Sequence, residues 1–232
     1  MFMTRGGRTV LITHCYFCLQ QKRLIVSTQV LLITELTPKT GKIRQASHAW
    51  AALPAQKDII QRRIYESLDG NVVLELVALE NLSAVAALPP LWSAAWNKLG
   101  PDMASDFRRQ IVTFVEAPKD TPEALPTTSY VQLRHVEVPP GIFLDYCAWR
   151  EQTIFDVVRS SPQVEVFLAY HSALSTEPGV MFISGFSGSV DDYSAVFNSA
   201  RYQQIVREAG DQYITGGDNG LYTRIYRHVA PD

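Results

Sequence analysis

The strongest constraint on what this chain can fold into is that it repeats itself. Tyr65-Glu66-Ser67 recurs as Tyr170-His171-Ser172 at an offset of 105 residues, Ser83-Ala84-Val85 as Ser194-Ala195-Val196 at 111, and Val115-Glu116-Ala117-Pro118 as His228-Val229-Ala230-Pro231 at 113. Three matches in the same order, with a slowly growing offset, predict two copies of one unit, the second with longer loops. A chain of 232 residues is long enough for two small units. Residues 119–128, Lys-Asp-Thr-Pro-Glu-Ala-Leu-Pro-Thr-Thr, have the Pro- and Thr-rich composition of a linker. The expected organisation is an N-terminal extension at 1–28, a first repeat at 29–118, the linker at 119–128 and a second repeat at 129–232.

Each copy reads as strand, helix, strand, strand, helix, strand. In the second, residues 130–138 are β-rich and stop at Pro139-Pro140-Gly141. Leu144, Cys147, Ile154 and Val158 then share one helical face, ending near Ser160-Ser161-Pro162. Residues 164–173 and 180–186 are β-branched and aromatic runs joined as a hairpin. Ser189 with Asp192 resembles a capping box for a helix carrying Val190, Tyr193, Phe197 and Ala200, capped at Gly210, before a last strand at 221–229. The first copy follows with strands at 30–36, 58–67, 71–79 and 108–116, an Asp69-Gly70 turn, and helices at 43–53 and 81–99. Pro89-Pro90 should break the latter in two, leaving 91–99 the better-formed piece.

That order is the ferredoxin-like βαββαβ unit. Two such units in one chain resemble the dimeric α+β barrel superfamily, in which two four-stranded sheets close on each other with helices outside. The expected fold class is therefore α+β, two ferredoxin-like repeats forming an intrachain dimeric α+β barrel over residues 29–231. The resemblance rests on element order, unit size and the repeat. Members of that superfamily include antibiotic-biosynthesis monooxygenases, haem-degrading monooxygenases, chlorite dismutases and NIPSNAP-like proteins.

Composition narrows the partners. Lys+Arg 21 against Asp+Glu 23 gives a net charge of −2, with no basic surplus for a nucleic-acid backbone or an anionic membrane. Neither partner is expected. Three cysteines, Cys15, Cys18 and Cys147, form no disulfide framework and point to a reducing cytoplasm. Residues 5–18 imitate a signal peptide, but Thr13 and His14 break the apolar run and no small-residue cleavage site follows. His14-Cys15-x-x-Cys18 supplies half a zinc site and lacks its second half, so no metal is expected.

Candidate site residues fall in two groups. His171 beside the Tyr170 phenol is a candidate general base, whereas the first copy holds Glu66 at the matching position. A polar residue near a strand end more often just faces water. Trp92 and Trp96 stand at i and i+4 on one helix with Asn97 beside them, and resemble the Trp and Asn side chains that line polyketide pockets in antibiotic-biosynthesis monooxygenases. Tyr193 joins them as a candidate substrate contact, and core packing is the default for all these aromatics. The resemblance implies a small-molecule tailoring enzyme, an oxygenase or cyclase on an aromatic or polyketide-like substrate, working without a cofactor because the substrate itself reduces oxygen. Reduced flavin serves some related tailoring enzymes, and haem serves others. Haem-degrading relatives place their proximal histidine on the second helix of a unit, and neither 81–99 nor 189–209 contains one. A non-catalytic binding or stress-response barrel and a haem-binding protein are the alternatives, and a further homodimer of the whole chain is compatible with any of them. One dominant cavity is expected between sheet and helices of the second copy.

Overall fold

In each half of the chain a strand-helix-strand-strand-helix-strand order is realised; the computed structural model describes residues 27–54, 59–216 and 221–230. The first half contributes β1 (Val30–Leu36), α1 (Ile43–Ala51), β2 (Ile59–Ser67), β3 (Val73–Leu79), α2 (Pro89–Leu99) and β4 (Arg108–Lys119). The second contributes β5 (Tyr130–Val136), α3 (Phe143–Gln152), α4 (Ile154–Ser160), β6 (Val166–Leu174), β7 (Val180–Phe186), α5 (Val190–Phe197), α6 (Ala200–Gln212) and β8 (Leu221–Val229). All eight strands close into one antiparallel barrel in the order β1-β3-β2-β8-β5-β7-β6-β4. Stepping half-way round carries β1 onto β5, β3 onto β7, β2 onto β6 and β8 onto β4. The two halves are therefore related by a pseudo-two-fold along the barrel axis, with seams at β2–β8 and β6–β4.

Strand alternation sorts the apolar side chains into two layers. Leu31 and Ile33 join Tyr65, Leu74, Leu76, Val131, Leu133, Leu168, Tyr170, Ile183 and Tyr226 in a cluster that fills the barrel. Val30 and Leu32, of opposite parity, pack outward with Leu88 and Leu91 beside α2. In the second half the outer layer is aromatic, with Phe155, Phe167, Phe182, Phe186, Tyr193, Phe197 and Tyr202 between sheet and helices.

The repeat is visible in small details. Thr28 donates its hydroxyl to Val30 O and Thr128 donates to Tyr130 O, each at 2.8 Å, fixing the entry into β1 and β5 alike. At the seams, Tyr65 meets His228 edge-on at 5.4 Å and Tyr170 meets Phe114 at 5.7 Å. The Tyr65–Tyr170 match is thus in register. The ladders equate Phe114 with His228 and, past the extra residue Val115 in β4, Glu116 with Val229, since Ile64 pairs Val229 and Ala169 pairs Glu116, so the Val115–Pro118 match is in register from Glu116 on. Ser83 and Ser194 are not equivalent, because Ser83 lies two residues past the Asn81 cap and Ser194 five past the Ser189 cap.

Helix ends follow local chemistry with two corrections. A 3-10 stretch at Leu82–Ala87 stops before the proline pair, which then opens α2 at positions where no backbone donor is needed. Ser189 caps α5 by accepting from Asp191 N and Asp192 N. The expected cap at Gly210 is not used: α6 runs on to Gln212, held by the packing of Tyr213 on Tyr146 and Trp149, and the left-handed glycine is Gly216. Each long helix expected in the second half is two, breaking at Thr153 and at Asn198, after which Ser199 caps α6.

The segment 119–128 packs rather than tethers. Thr121, Leu125 and Thr128 are buried, Leu125 N donates to Gln61 Oε1 at 2.7 Å, and Tyr65 Oη donates to Pro126 O. Thr28 N donates to Ala124 O, and Tyr170 Oη to Thr28 O. These contacts close the lower end of the barrel, where β1 and β5 begin. Ser27 and Thr28, at the end of the expected N-terminal extension, are buried there.

Candidate functional site

The ladders define matching inward rows that reach the upper end, where β1 and β5 finish, at Glu35 and His135. Across the first sheet Tyr65 pairs Leu74, Leu74 pairs Glu35, and Glu35 pairs Arg108. Across the second, Tyr170 pairs Met181, Met181 pairs His135, and His135 pairs Tyr222. Setting Tyr65 on Tyr170 therefore sets Glu35 on His135. One row below, Ile33–Gln110 corresponds to Leu133–Arg224. A cavity of about 390 Å³ opens over these rows, with Leu133 and Met181 as its apolar floor. Glu35, Gln110 and Arg108 wall it from the first unit; His135, Glu137 and Tyr222 wall it from the second. This volume lies within the ~300–1,000 Å³ of small-molecule sites.

The rim is positioned by the β6–β7 hairpin. Arg108 pairs with Glu177 across it, and His135 Nε2 lies 3.1 Å from Pro178 O. Gly179 has φ +136° and a Cβ there would sit 2.3 Å from Val136 O, so only glycine lets the hairpin lie against β5. Because a carbonyl only accepts, Nε2 carries the proton in the neutral ring and Nδ1 is the acceptor. Opposite, Glu35 Oε1 accepts from both Tyr226 Oη and Tyr222 Oη, and Arg224 Nη1 stands 3.9 Å away. Burial, and next the Glu35 carboxylate, pushes the Tyr222 phenol up to about 12, and the same causes push Tyr226 higher still. Both phenols are thus fixed as donors. An acid and an imidazole stand on diametrically opposite strands of one cavity.

Solved structures with this architecture were found at very low identity. A protein from Fusobacterium nucleatum subsp. nucleatum named as a "putative monooxygenase" aligns with a TM-score of 0.62 at 8% identity, over 88% of this chain and 94% of its own. An anthrone oxidase-like protein aligns at 0.61 and 11%, over 87% and 91%. The chlorite dismutase of Candidatus Nitrospira defluvii aligns at 0.55 and 10%, over 88% and 92%. The chain has the dimeric α+β barrel fold. No family model and no curated protein matches it.

Within this barrel the sequence candidates fall in separate places. Tyr170 is inward and fully buried, its phenol pushed up by burial, while His171 is outward with its ring on Phe143 at 5.4 Å. Adjacent strand residues point to opposite faces, so the expected acid-base partnership of the two is not formed. Glu66, the counterpart of His171, does not face water: it is buried, accepts from Ser47 Oγ and pairs with Arg227 at 3.3 Å. Trp92 is half-buried with Arg109 over its ring at 4.9 Å, Trp96 is exposed beside Phe107, and Asn97 is exposed one position further round α2. Tyr193 stacks on Phe186 at 3.7 Å and donates to Gln132 Oε1, as a core residue of the other unit.

The expected pocket between sheet and helices of the second copy is filled. A cavity of about 20 Å³ remains there, lined by Tyr146, Phe182 and Tyr202 among others, room for about one water. Tyr193, the substrate contact expected in this copy, and its aromatic neighbours occupy the space. In the first unit the corresponding layer holds a buried Arg62–Glu75 pair at 2.5 Å, whose guanidinium also donates to Trp50 O and Leu53 O behind α1. Desolvation pushes the Glu75 carboxyl up. Among the described residues no group of three or more His, Cys, Asp or Glu could hold a metal, and no helix is long and apolar enough to cross a membrane. His14, Cys15 and Cys18 lie outside the described residues.

Sequence reading missed Glu35, His135, Tyr222 and Tyr226. Their signal was available. Leu31, Ile33 and Glu35 share one parity, as do Val131, Leu133 and His135, so each strand ends its inward face on a titratable residue.

Proposed function

We propose that this chain is a small-molecule tailoring enzyme of oxygenase-like type, working without a metal or resident cofactor, that holds a small apolar or aromatic substrate in the barrel mouth. The observation that carries this reading is the row in which Glu35 and His135 occupy equivalent positions across one cavity. With Nε2–H held by Pro178 O, the His135 Nδ1 lone pair takes a proton from a substrate hydroxyl or activated C–H. The carbanion left behind passes electrons to dioxygen and forms a C–O bond to it; the peroxide takes back the proton held on His135 and breaks its O–O bond with loss of water, so one oxygen atom stays as a carbonyl and the other leaves as water. Leu133 and Met181 supply the apolar surface on which the substrate body packs. The fold shared with proteins named as a monooxygenase and as anthrone oxidase-like supports the reaction class, and the few cysteines support a reducing cytoplasmic setting.

Oxygen uptake over a panel of anthrones and hydroxylated arenes tests it, with products identified by mass spectrometry. His135→Ala should lower kcat/KM by about 10²-fold or more, the usual contribution of a general base. His171→Ala should change it less than about twofold, as expected of a surface group. Uptake unchanged in His135→Ala, or a haem or flavin band in the visible spectrum of the purified protein, would overturn the proposal.

A further inference from the structure

The barrel mouth is more specific about charge than about shape. Four carboxylates stand at or behind it, Glu35, Asp69, Glu137 and Glu177, against two guanidinium groups, Arg108 and Arg224. Arg108 and Glu177 neutralise each other at the rim. Arg224 is shared, 3.9 Å from Glu35 and 3.4 Å from Asp69, so one positive charge serves two negative ones. The Glu137 carboxylate has no ion pair among the described residues.

Hydrogen-bonding capacity leans the same way away from the Arg108 rim. The hydroxyls of Tyr222 and Tyr226 are spent on Glu35 Oε1, and the His135 Nε2–H on Pro178 O. What remains to meet a ligand is the second oxygen of Glu35, the Glu137 carboxylate and His135 Nδ1, all acceptors, the Gln110 amide and Thr176 hydroxyl as mixed groups, and the Arg108 N–H groups not turned to Glu177 as rim donors. A ligand rich in acceptors would leave these unpaired, which is costly in a partly desolvated cavity. A donor-rich ligand satisfies them. Beneath lie Leu133, Met181 and the ring of Tyr222, surfaces for an apolar or aromatic body.

We propose that the mouth selects an organic cation, a small molecule with an ammonium group on an apolar or aromatic body. The ammonium lies between Glu35 and Glu137 and the body packs on Leu133 and Met181. This deepens the proposed function and rests on its assignment of the mouth as the site. Because the cavity opens to solvent, the preference should weaken as salt is raised from ~0.05 to ~0.5 M.

Calorimetric titration with three probes of one skeleton, 2-phenylethylamine, 2-phenylethanol and 3-phenylpropanoate, tests the charge preference. The amine is expected to bind at least tenfold more tightly than the carboxylate. Glu137→Gln should erase most of that difference, and Gln110→Trp, which fills the cavity, should abolish binding of all three; Thr176→Trp at the rim serves if thermal melts show Gln110→Trp to be unfolded. If alcohol and carboxylate bind as tightly as the amine, and the filling variants abolish all binding, the site stands and the cation preference is wrong. If no probe binds, or the filling variants bind like wild type, the cation inference fails, and in the second case the assignment of the mouth fails with it.

Discussion

Leu125 tests whether the segment between the repeats is structural. It is 1% exposed and belongs to the cluster that fills the barrel, while its backbone N–H is held by Gln61. Leu125→Ala removes the equivalent of three methylenes, about 2.4 kcal/mol at ~0.8 kcal/mol each. Partial collapse around the resulting void adds more, placing the loss at about 3–4 kcal/mol, inside the ~2.7–5 kcal/mol measured for buried leucines elsewhere. In a chain of this length each kcal/mol lowers Tm by about 2–4 °C, so the variant should melt about 6–16 °C below wild type. Urea titration followed by far-UV circular dichroism gives the free energy and calorimetry the Tm. Leu82→Ala, at a position 52% exposed, is the control and should stay within about 0.5 kcal/mol. A Leu125→Ala protein as stable as that control would mean that residues 119–128 are the loose tether their composition advertises, with the lower end of the barrel open.

Deleting residues 1–28 should lower Tm measurably more than deleting 1–26, because Thr28 supplies the carbonyl that accepts from Tyr170 and the N–H that donates to Ala124; equal melting temperatures would show that closure at this corner contributes nothing. His228 is pushed below its usual value of 6.5 by burial and then by Arg63, so folding favours its neutral form. Its contribution is whole above about pH 6.5 and is lost as pH falls below it, since the unfolded chain then binds the extra proton. His228→Phe, which copies Phe114 at the other seam, should therefore lose less Tm between about pH 7 and 5 than wild type; parallel curves would refute the assignment.

Strands, hairpins and the two-unit plan were legible because they depend on short-range periodicity and turn chemistry, which the chain states locally. The Asp69-Gly70 turn and the Ser189 cap fall where residue chemistry puts them. What was not legible depends on volume and on the far side of the molecule. Proline and threonine in 119–128 report the absence of regular structure and say nothing of burial, which here comes from the open end of a barrel needing a cover. The aromatic residues of α4 and α5 could line a pocket or fill it, and only their packing on the sheet, Tyr193 stacked on Phe186 and Phe155 edge-on to Phe182, decides that they fill it. His171 drew attention through its tyrosine neighbour in sequence, whereas the histidine that reaches a cavity is His135, whose neighbour across the ladder is Tyr222.

A barrel with its two-fold along the axis makes every axis-facing residue meet its own copy when the two halves are separate, identical chains. Glu35 would then face a second glutamate in one cavity, and like charges so placed disfavour each other's ionisation. Joining the halves in one chain removes that restriction, and the removal shows most at the upper end. At the lower end the halves match closely, with Thr28 and Thr128 making the same bond and Tyr65 and Tyr170 each donating to a backbone carbonyl, the seams differing in His228 against Phe114. At the upper end Glu35 answers His135, Gln110 answers Arg224 and Arg108 answers Tyr222. The ladder register gives no reason for that difference, since the two rows occupy equivalent places in it. The ligand proposed for the mouth would supply one, for a molecule with unlike ends is met best by unlike side chains, and joining the halves lets one chain place an acid and an imidazole opposite each other.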